Sequence, residues 1–472
     1  MIAKYFKLNN WLQMLRAKHW LSYPKNSPSV DVFEAAMKIL RDSMPQIRDS
    51  HPLSASEVAT LLRLMPLLIW WGEREIALSL EVYLLQQPRA WGLETLSKTV
   101  PESELLTASL KPEILRQGDA LKQVRERLAA ESPAHPCGEL AATVEAAWRS
   151  GQLPSQQLGR GIKLLLTQGD RASAEGLLQL AAAHQSEKGM FPESAFSERH
   201  CLTGLLEMAS AWFMAGDLKA GEAAYGAFLQ SKGHKNFFGT VPAEKGGFSP
   251  LLRAATFLET LRDRVVCTFE ATAPRFPTQI AADDGRFKIV DDLVAQYRPK
   301  VVADIGCGKG RFIKLLKERH PEIEAYAVDL STTMLGELPA SIHASPGTLL
   351  NNGLPDGLAD LVFCVEALEH AVNIQAGVRE LSRITSPTGR LLILDKDVRK
   401  LGSLQICDWE QWFGKETMTG WMEDHGFRVK VLDQIDHGGI SGTDGLFLAW
   451  VGERKAHGQP APLLKGTTHA SA

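Results

Sequence analysis

Three short stretches carry chemically capable side chains at spacings that packing alone does not require. In Val301-Val302-Ala303-Asp304-Ile305-Gly306-Cys307-Gly308-Lys309-Gly310-Arg311-Phe312, an acid closes a β-branched run and three glycines stand at alternate positions. Glycines at such places let a backbone take φ > 0 or approach a ligand closely. The helix that begins behind them offers unpaired N–H groups. Ala325-Tyr326-Ala327-Val328-Asp329 is a second apolar run closed by an acid, and a carboxylate can accept from both hydroxyls of a cis-diol. Farther along stand Glu366, Glu369 and His370, then Asp395-Lys396-Asp397. His370 reads as a general base, its ordinary pKa lying near neutrality, or as a residue pinning its own loop. Asp395 can accept a proton from, or orient, a hydroxyl or amine, and Lys396 can hold an acidic group. A solvated, charged loop face accounts for the same run.

The spacing of the glycines narrows the ligand. The dinucleotide fingerprint G-x-G-x-x-G needs its third glycine where Arg311 stands, which disfavours NAD-dependent oxidoreduction. An acid just before the glycines suits a ligand's ammonium and repels phosphate. The D-x-G-x-G-x-G pattern resembles motif I of the class I S-adenosylmethionine (SAM)-dependent methyltransferases, type 11-like. That resemblance implies S-adenosyl-L-methionine as cofactor, held by Asp304, Gly306, Cys307, Gly308, Gly310, Asp329, Leu330, Asn351 and Glu366. In that family the position of Asp329 takes the ribose hydroxyls; as the other reading, Asp329 caps the helix opening at Ser331-Thr332-Thr333. Asn351 and Asn352 stand near the place of the family's adenine-binding acid, and an amide oxygen can accept the same bond.

The elements that must position these residues alternate strand and helix from Val301 onward, the signature of a parallel sheet covered on both faces. Ala359-Asp360-Leu361-Val362-Phe363-Cys364 resembles the family's fourth strand. Ser386-Pro387-Thr388-Gly389 makes a turn, and Arg390-Leu391-Leu392-Ile393-Leu394 resembles its fifth. That strand delivers Asp395 to the edge where open α/β sheets bind ligands. A helix over Glu416–His425 and strands over Arg428–Leu432 and Gly445–Val451 complete an α/β Rossmann-like, seven-stranded methyltransferase domain. Trp409-Glu410-Gln411-Trp412-Phe413 either walls an acceptor or staples an insertion to the sheet, and the glycine-rich loop from His437 to Gly442 reads as a lid. Leu368-Glu369-His370 resembles the ubiquinone and methylated-sugar methyltransferases. The resemblance implies O-methylation of a small polar or glycan-type acceptor, with His370 and Asp395 as the candidate catalytic bases. The N/D-P-P-Y/F tetrapeptide of amino- and base-methylating enzymes is absent from the sequence.

Residues 1–270 read as an all-α helical-hairpin domain with internal repetition. In Leu61-Leu62 to Gly72-Glu73, Leu164-Leu165-Leu166 to Gly169-Asp170, and Leu205-Leu206 to Gly216-Asp217, a glycine ends one apolar helix and an acid opens the next. Each second helix is followed by a glutamine (Gln86, Gln185, Gln230) and then an aromatic near glycine: Trp91-Gly92, Gly189-Met190-Phe191, Phe238-Gly239. Gln185 to Phe191 resembles the Q-x-x-x-G-x-W/F repeat of α/α-toroid proteins, the terpenoid cyclase and prenyltransferase-like group. Neither the acidic D-x-D-D cluster nor the metal site of those enzymes is present, so their chemistry is not implied. A helical array presents a groove for a protein partner or bulky substrate. Trp70, Trp71, Trp148 and Trp212 lie at helical spacing and read as core. A linker and lead-in helix fill 271–300, with Asp284 and Arg286 read as lining the site or, more simply, as a surface ion pair; the methyltransferase domain spans 301–452 and a disordered tail 453–472. A SAM-sensing scaffold whose helices bind a partner is the alternative to an enzyme.

Length and charge bound the rest. With 472 residues, two or three domains are expected. A net charge of −3 and no long basic run give no reason to expect nucleic acid. The six cysteines are scattered without a C-x-x-C pair, pointing to reduced thiols, and no histidine cluster implies a metal. Leu61–Trp71 contains Arg63 and Pro66 and is too short to span a bilayer, and Met1–Trp20 lacks a continuous apolar segment. The cytoplasm is the expected location.

Overall fold

Helical and alternating periodicities separate at a boundary between Phe276 and Pro277, which divides the chain into two compact units. A computed structural model of the chain describes residues 28–48, 55–78, 80, 137–231, 233, 237–238, 249–400, 407–436 and 445–455. Met1–Trp20, Gln86, Trp91-Gly92, Gly239, the His437–Gly442 lid and the tail beyond 455 lie outside the described residues.

The first unit contains α1 (Pro28–Arg48), α2 (Ala55–Trp70), α3 (Cys137–Arg149), α4 (Ser155–Thr167), α5 (Arg171–Ala182), α6 (Leu202–Ala215), α7 (Leu218–Gln230) and α8 (Ser249–Thr272). Asp170 and Asp217 cap α5 and α7, accepting from Ser173 N at 3.1 Å and Ala220 N at 3.0 Å. Helix α6 packs on α4, α7 and α8. Gln185 Nε2 donates to Gly189 O at 3.3 Å, and the turn it closes delivers Phe191 to a stack with Trp148 at 5.6 Å. Trp71, Trp148 and Trp212 are buried, whereas Trp70 is only half-buried.

Four of these helices meet on buried charge. Lys163 of α4 lies 2.6 Å from Glu207 of α6 and 2.7 Å from Glu259 of α8. Arg63 of α2 bonds both carboxylates, Glu207 at 3.1 Å, and Arg160 reaches Glu207 at 3.0 Å. Lys163 is 1% and Glu207 0% exposed, so this network is shielded from water.

The second unit is a seven-stranded sheet in the order β3-β2-β1-β4-β5-β7-β6. Its strands are β1 (Val301–Ile305), β2 (Glu324–Asp329), β3 (His343–Pro346), β4 (Ala359–Val365), β5 (Thr385–Lys396), β6 (Phe427–Ile435) and β7 (Phe447–Arg454). Helices α9 (Gly285–Tyr297), α10 (Arg311–Arg319), α11 (Thr332–Leu335), α12 (Ile374–Ile384) and α13 (Lys415–Asp424) connect them. Val302 in β1, Ala325 in β2 and Leu361 in β4 share one core with Phe287 and Val290 of α9 and Phe312 and Leu316 of α10.

The sheet is mixed rather than wholly parallel. β7 pairs antiparallel with both β5 and β6. β6 ends at Ile435 and β7 begins at Phe447, too few residues apart for the crossover a parallel pair needs. β7 also runs to Arg454, past the expected end at 452. Ser386–Gly389 is not a turn between elements. β5 already pairs at Thr385 with Ala359, and the register then shifts to Leu361 with Arg390, so these four residues form an irregularity inside the strand. Among the described residues, no helix is long and apolar enough to cross a membrane.

Candidate functional site

Strands β1, β2, β4 and β5 run parallel, so their carboxyl ends, and every candidate residue on them, arrive at one edge. At the end of β1 the loop turns back onto β2: the amides of Gly306 and Cys307 donate to Val328 O at 2.8 and 3.1 Å. Gly306 has φ 78, and a Cβ there would stand 2.5 Å from Ala367 Cβ, so the position admits glycine alone. Gly308 has φ 55, but the nearest atom to its would-be Cβ is Met334 Sδ at 3.7 Å. This is the open place on the loop, where a ligand can come up to backbone.

Asp329 is tied to that place. One carboxylate oxygen accepts from Gly308 N at 2.7 Å and the other from Ser331 N at 2.9 Å. Each oxygen has two lone pairs, so these two bonds orient the group without exhausting it. The helix-capping alternative falls to Ser331, whose hydroxyl accepts from Met334 N at 3.2 Å and begins α11. Asp304 is 2% exposed, and its Oδ2 has no hydrogen-bond partner. Burial, and then Asp329 nearby, push the Asp304 carboxyl well above the usual range, only partly offset by Arg311. A cation is what such a pair of acids lacks. Cys307 turns its thiol to Gly308 O at 3.4 Å, and burial raises its pKa, so it is a packed, inert thiol. Leu330 and Asn351 are half-buried at the ends of β2 and of the loop after β3. Asn351 N donates to Thr348 Oγ1 at 2.9 Å, whereas Asn352 is turned inward and takes a bond from Leu354 N at 2.9 Å.

Of the two readings of Asp284 and Arg286, lining the site or pairing at the surface, the surface one fails for Arg286. It is 3% exposed, so the surface ion pair expected with Asp284 is in fact buried. Arg286 also bonds Glu366, whose Oε1 takes Arg311 at 2.7 Å. Glu366 has φ 52 at the end of β4, a left-handed conformation unusual for a side-chain-bearing residue. The first turns of α9 and α10 are thus joined through one carboxylate.

The remaining candidates gather on the β4–β5 side. Asp395 is 1% exposed, its oxygens accepting from Glu369 N at 3.0 Å and Lys396 N at 2.8 Å. Lys396 bonds Glu369 and lies 3.3 Å from Glu410. Asp397 is 2% exposed and held by Arg399 at 2.7 Å, so this charged run is not a solvated face. His370 keeps 20% of its side chain exposed, with Nε2 3.5 Å from Glu369 Oε1. Trp409, Trp412 and Phe413 are at most 1% exposed, which fits the staple rather than the acceptor wall.

Residues 303–393 match the family model described as a methyltransferase domain. This segment is a methyltransferase domain. It takes S-adenosylmethionine as cofactor, and the edge fits that molecule: the unsatisfied Asp304 oxygen suits an ammonium, Asp329 a ribose diol, and Gly308 close approach. The methyltransferase domain is similar to the demethylmenaquinone methyltransferase of Deinococcus radiodurans, 28% identical over 139 residues that make up 27% of this chain and 58% of that protein. It is also similar to the malonyl-[acyl-carrier protein] O-methyltransferase of Halorhodospira halophila, 32% identical over 140 residues, 26% of this chain and 45% of that protein. The chain thus spans about half the length of these relatives. A solved SAM-dependent methyltransferase from Archaeoglobus fulgidus overlaps 36% of this chain and 94% of its own, at 20% identity and a TM-score of 0.29.

Proposed function

We propose that the protein is an enzyme that transfers a methyl group from S-adenosylmethionine to a small molecule, through oxygen on a polar or glycan-type acceptor. The observation that carries the reading is the buried, unsatisfied Asp304 oxygen beside a glycine loop that Asp329 fixes through Gly308 N. Bound there, S-adenosylmethionine supplies an electrophilic methyl group, so the chain's task is to orient an acceptor behind it and to manage charge. Asp304 and Asp329 hold the cationic and diol-bearing parts of the cofactor, with Leu330 and Asn351 flanking the adenine side. Glu366, fixed by Arg286 and Arg311, keeps the loop from drawing in phosphate.

A hydroxyl acceptor must also lose a proton. Of the two candidate bases, His370 retains an exposed edge, with its Nε2 3.5 Å from the Glu369 carboxylate. Asp395 has both oxygens on backbone amides, and we assign it to holding the site rather than to proton transfer. The helical unit is read as the part that receives a bulky acceptor or a protein partner.

The test is transfer of labelled methyl from S-adenosylmethionine into fractionated cell extract, with ligand-induced thermal shift measured in parallel. A shift with labelled product supports the enzyme. A shift without product in any fraction favours a SAM-sensing scaffold, and no shift with either SAM or its demethylated product removes the cofactor reading.

A further inference from the structure

At the ends of β4 and β5, three carboxyl groups buried to 4% exposure or less, those of Glu369, Asp395 and Glu410, gather at Lys396, whose ammonium pairs with Glu369 and Glu410 and whose backbone N donates to Asp395. They come from three segments: the 3-10 turn Leu368–His370, the end of β5, and the strap Cys407–Phe413. The strap touches the turn at several points. Gln411 N donates to Glu369 O at 2.8 Å, and Gln411 Nε2 to Val372 O at 2.8 Å. Trp412 Nε1 donates to the Glu410 oxygen that Lys396 also faces, at 2.6 Å, and the ammonium sits 5.5 Å from the Trp412 ring centre.

We propose that Lys396 is a positioning residue whose ammonium clasps Glu369 to Glu410, holding the strap and the 3-10 turn as one wall on the β4–β5 side of the cofactor edge. Only what the wall faces depends on the methyl-transfer reading; the clasp does not. Strand order sets the location, because β4 lies beside β1 and the wall therefore adjoins the glycine loop on the side away from Asp329. Without Lys396, Glu410 would lose the ammonium it shares with Glu369, which keeps His370 at 3.5 Å, and the strap carries the carboxylate that can leave.

Asp395 lies against the clasp through Glu369 N at 3.0 Å, and burial, then Glu369, push its carboxyl well above the usual range. Burial also opposes ionisation of Glu369, but Lys396, Asp395 and His370 together pull it down to about 2. The groups facing Asp395 are Glu369 from the turn, Lys396 from its own strand and the Cys364 thiol from β4, with His370 and Glu410 one contact beyond.

Hydrogen exchange by mass spectrometry on the full chain reads the clasp directly. Lys396→Met and Glu410→Gln are each expected to speed exchange of peptides covering 407–413 at least tenfold, with β1 and β4 peptides unchanged. Should Lys396→Met loosen the whole unit, Glu410→Gln decides alone, since it leaves the Lys396–Glu369 pair intact. Unchanged strap exchange in Glu410→Gln overturns the clasp. S-adenosylhomocysteine affinity is measured on the same samples. Its absence in the wild type would end the methyl-transfer reading and leave the clasp standing.

Discussion

Replacing Lys163 by methionine removes an ammonium that touches Glu207 and Glu259 at once, from the middle of the helical unit. At an effective dielectric near 20, each contact of 2.6–2.7 Å is worth about 6 kcal/mol of attraction. Burying the ammonium costs several kcal/mol in return, so the net loss on deleting one partner of a buried pair is about 3–5 kcal/mol. With a urea slope of about 2 kcal/mol per molar, the midpoint of the helical transition should fall by roughly 2 M. The chain has two units, so the loss must be read where it arises, as faster hydrogen exchange in α4, α6 and α8 peptides with the sheet unchanged. Adding Glu259→Gln removes a carboxylate that Lys163 no longer balances, and the double variant should be less destabilised than the sum by about 1–3 kcal/mol. A midpoint shift below about 0.5 M, the scale of an exposed ion pair, would mean that water reaches these charges and the reasoning is wrong.

The same network gives a pH dependence. Burial alone would raise Glu259, but Arg63, Lys163 and Arg262 pull it down to about 2, below the roughly 4.3 of an unfolded glutamate. A depressed carboxyl stabilises above its unfolded pKa, so helical stability should hold above about pH 4.3 and fall as pH drops toward about 2, seen by circular dichroism. Asp329→Ala should abolish the stabilisation by S-adenosylhomocysteine, worth about 2.7 kcal/mol at a hundredfold excess over Kd, in a thermal-shift assay. Gly308→Ala should fold at a cost of about 1–2 kcal/mol from its left-handed backbone yet bind the cofactor at least tenfold more weakly by calorimetry, whereas Gly306→Ala, blocked by Ala367, should unfold the loop itself. Cofactor affinity should decline as falling pH protonates Asp304, whose pKa lies above the usual range, and Asp304→Asn should flatten that decline.

What the sequence revealed was local. The strand, glycine loop and helix at Val301–Arg319 are adjacent residues whose backbone needs can be read in order, and Asp329 was legible because an apolar run ended on it. The direction of β7 was not, since an alternating strand looks the same whichever way its neighbour runs. Arg286 was misplaced at the surface because its second partner, Glu366, is 80 residues away. The buried charge network of α2, α4, α6 and α8 was not legible, because Arg63 and Glu259 are separated by 196 positions. Asp395 was legible as a strand-end acid, but its backbone donors were not, because amides carry no mark in a sequence.

Glu366 has a consequence for what this scaffold could become. Its carboxylate is gripped by two guanidiniums, Arg286 from the start of α9 and Arg311 from the start of α10. Retooling the fold for a pyrophosphate-linked coenzyme would require moving that charge and finding a new partner for Arg311, since Arg286 alone keeps Asp284. Drift from one coenzyme class to the other is thereby barred by electrostatics as well as by the missing third glycine.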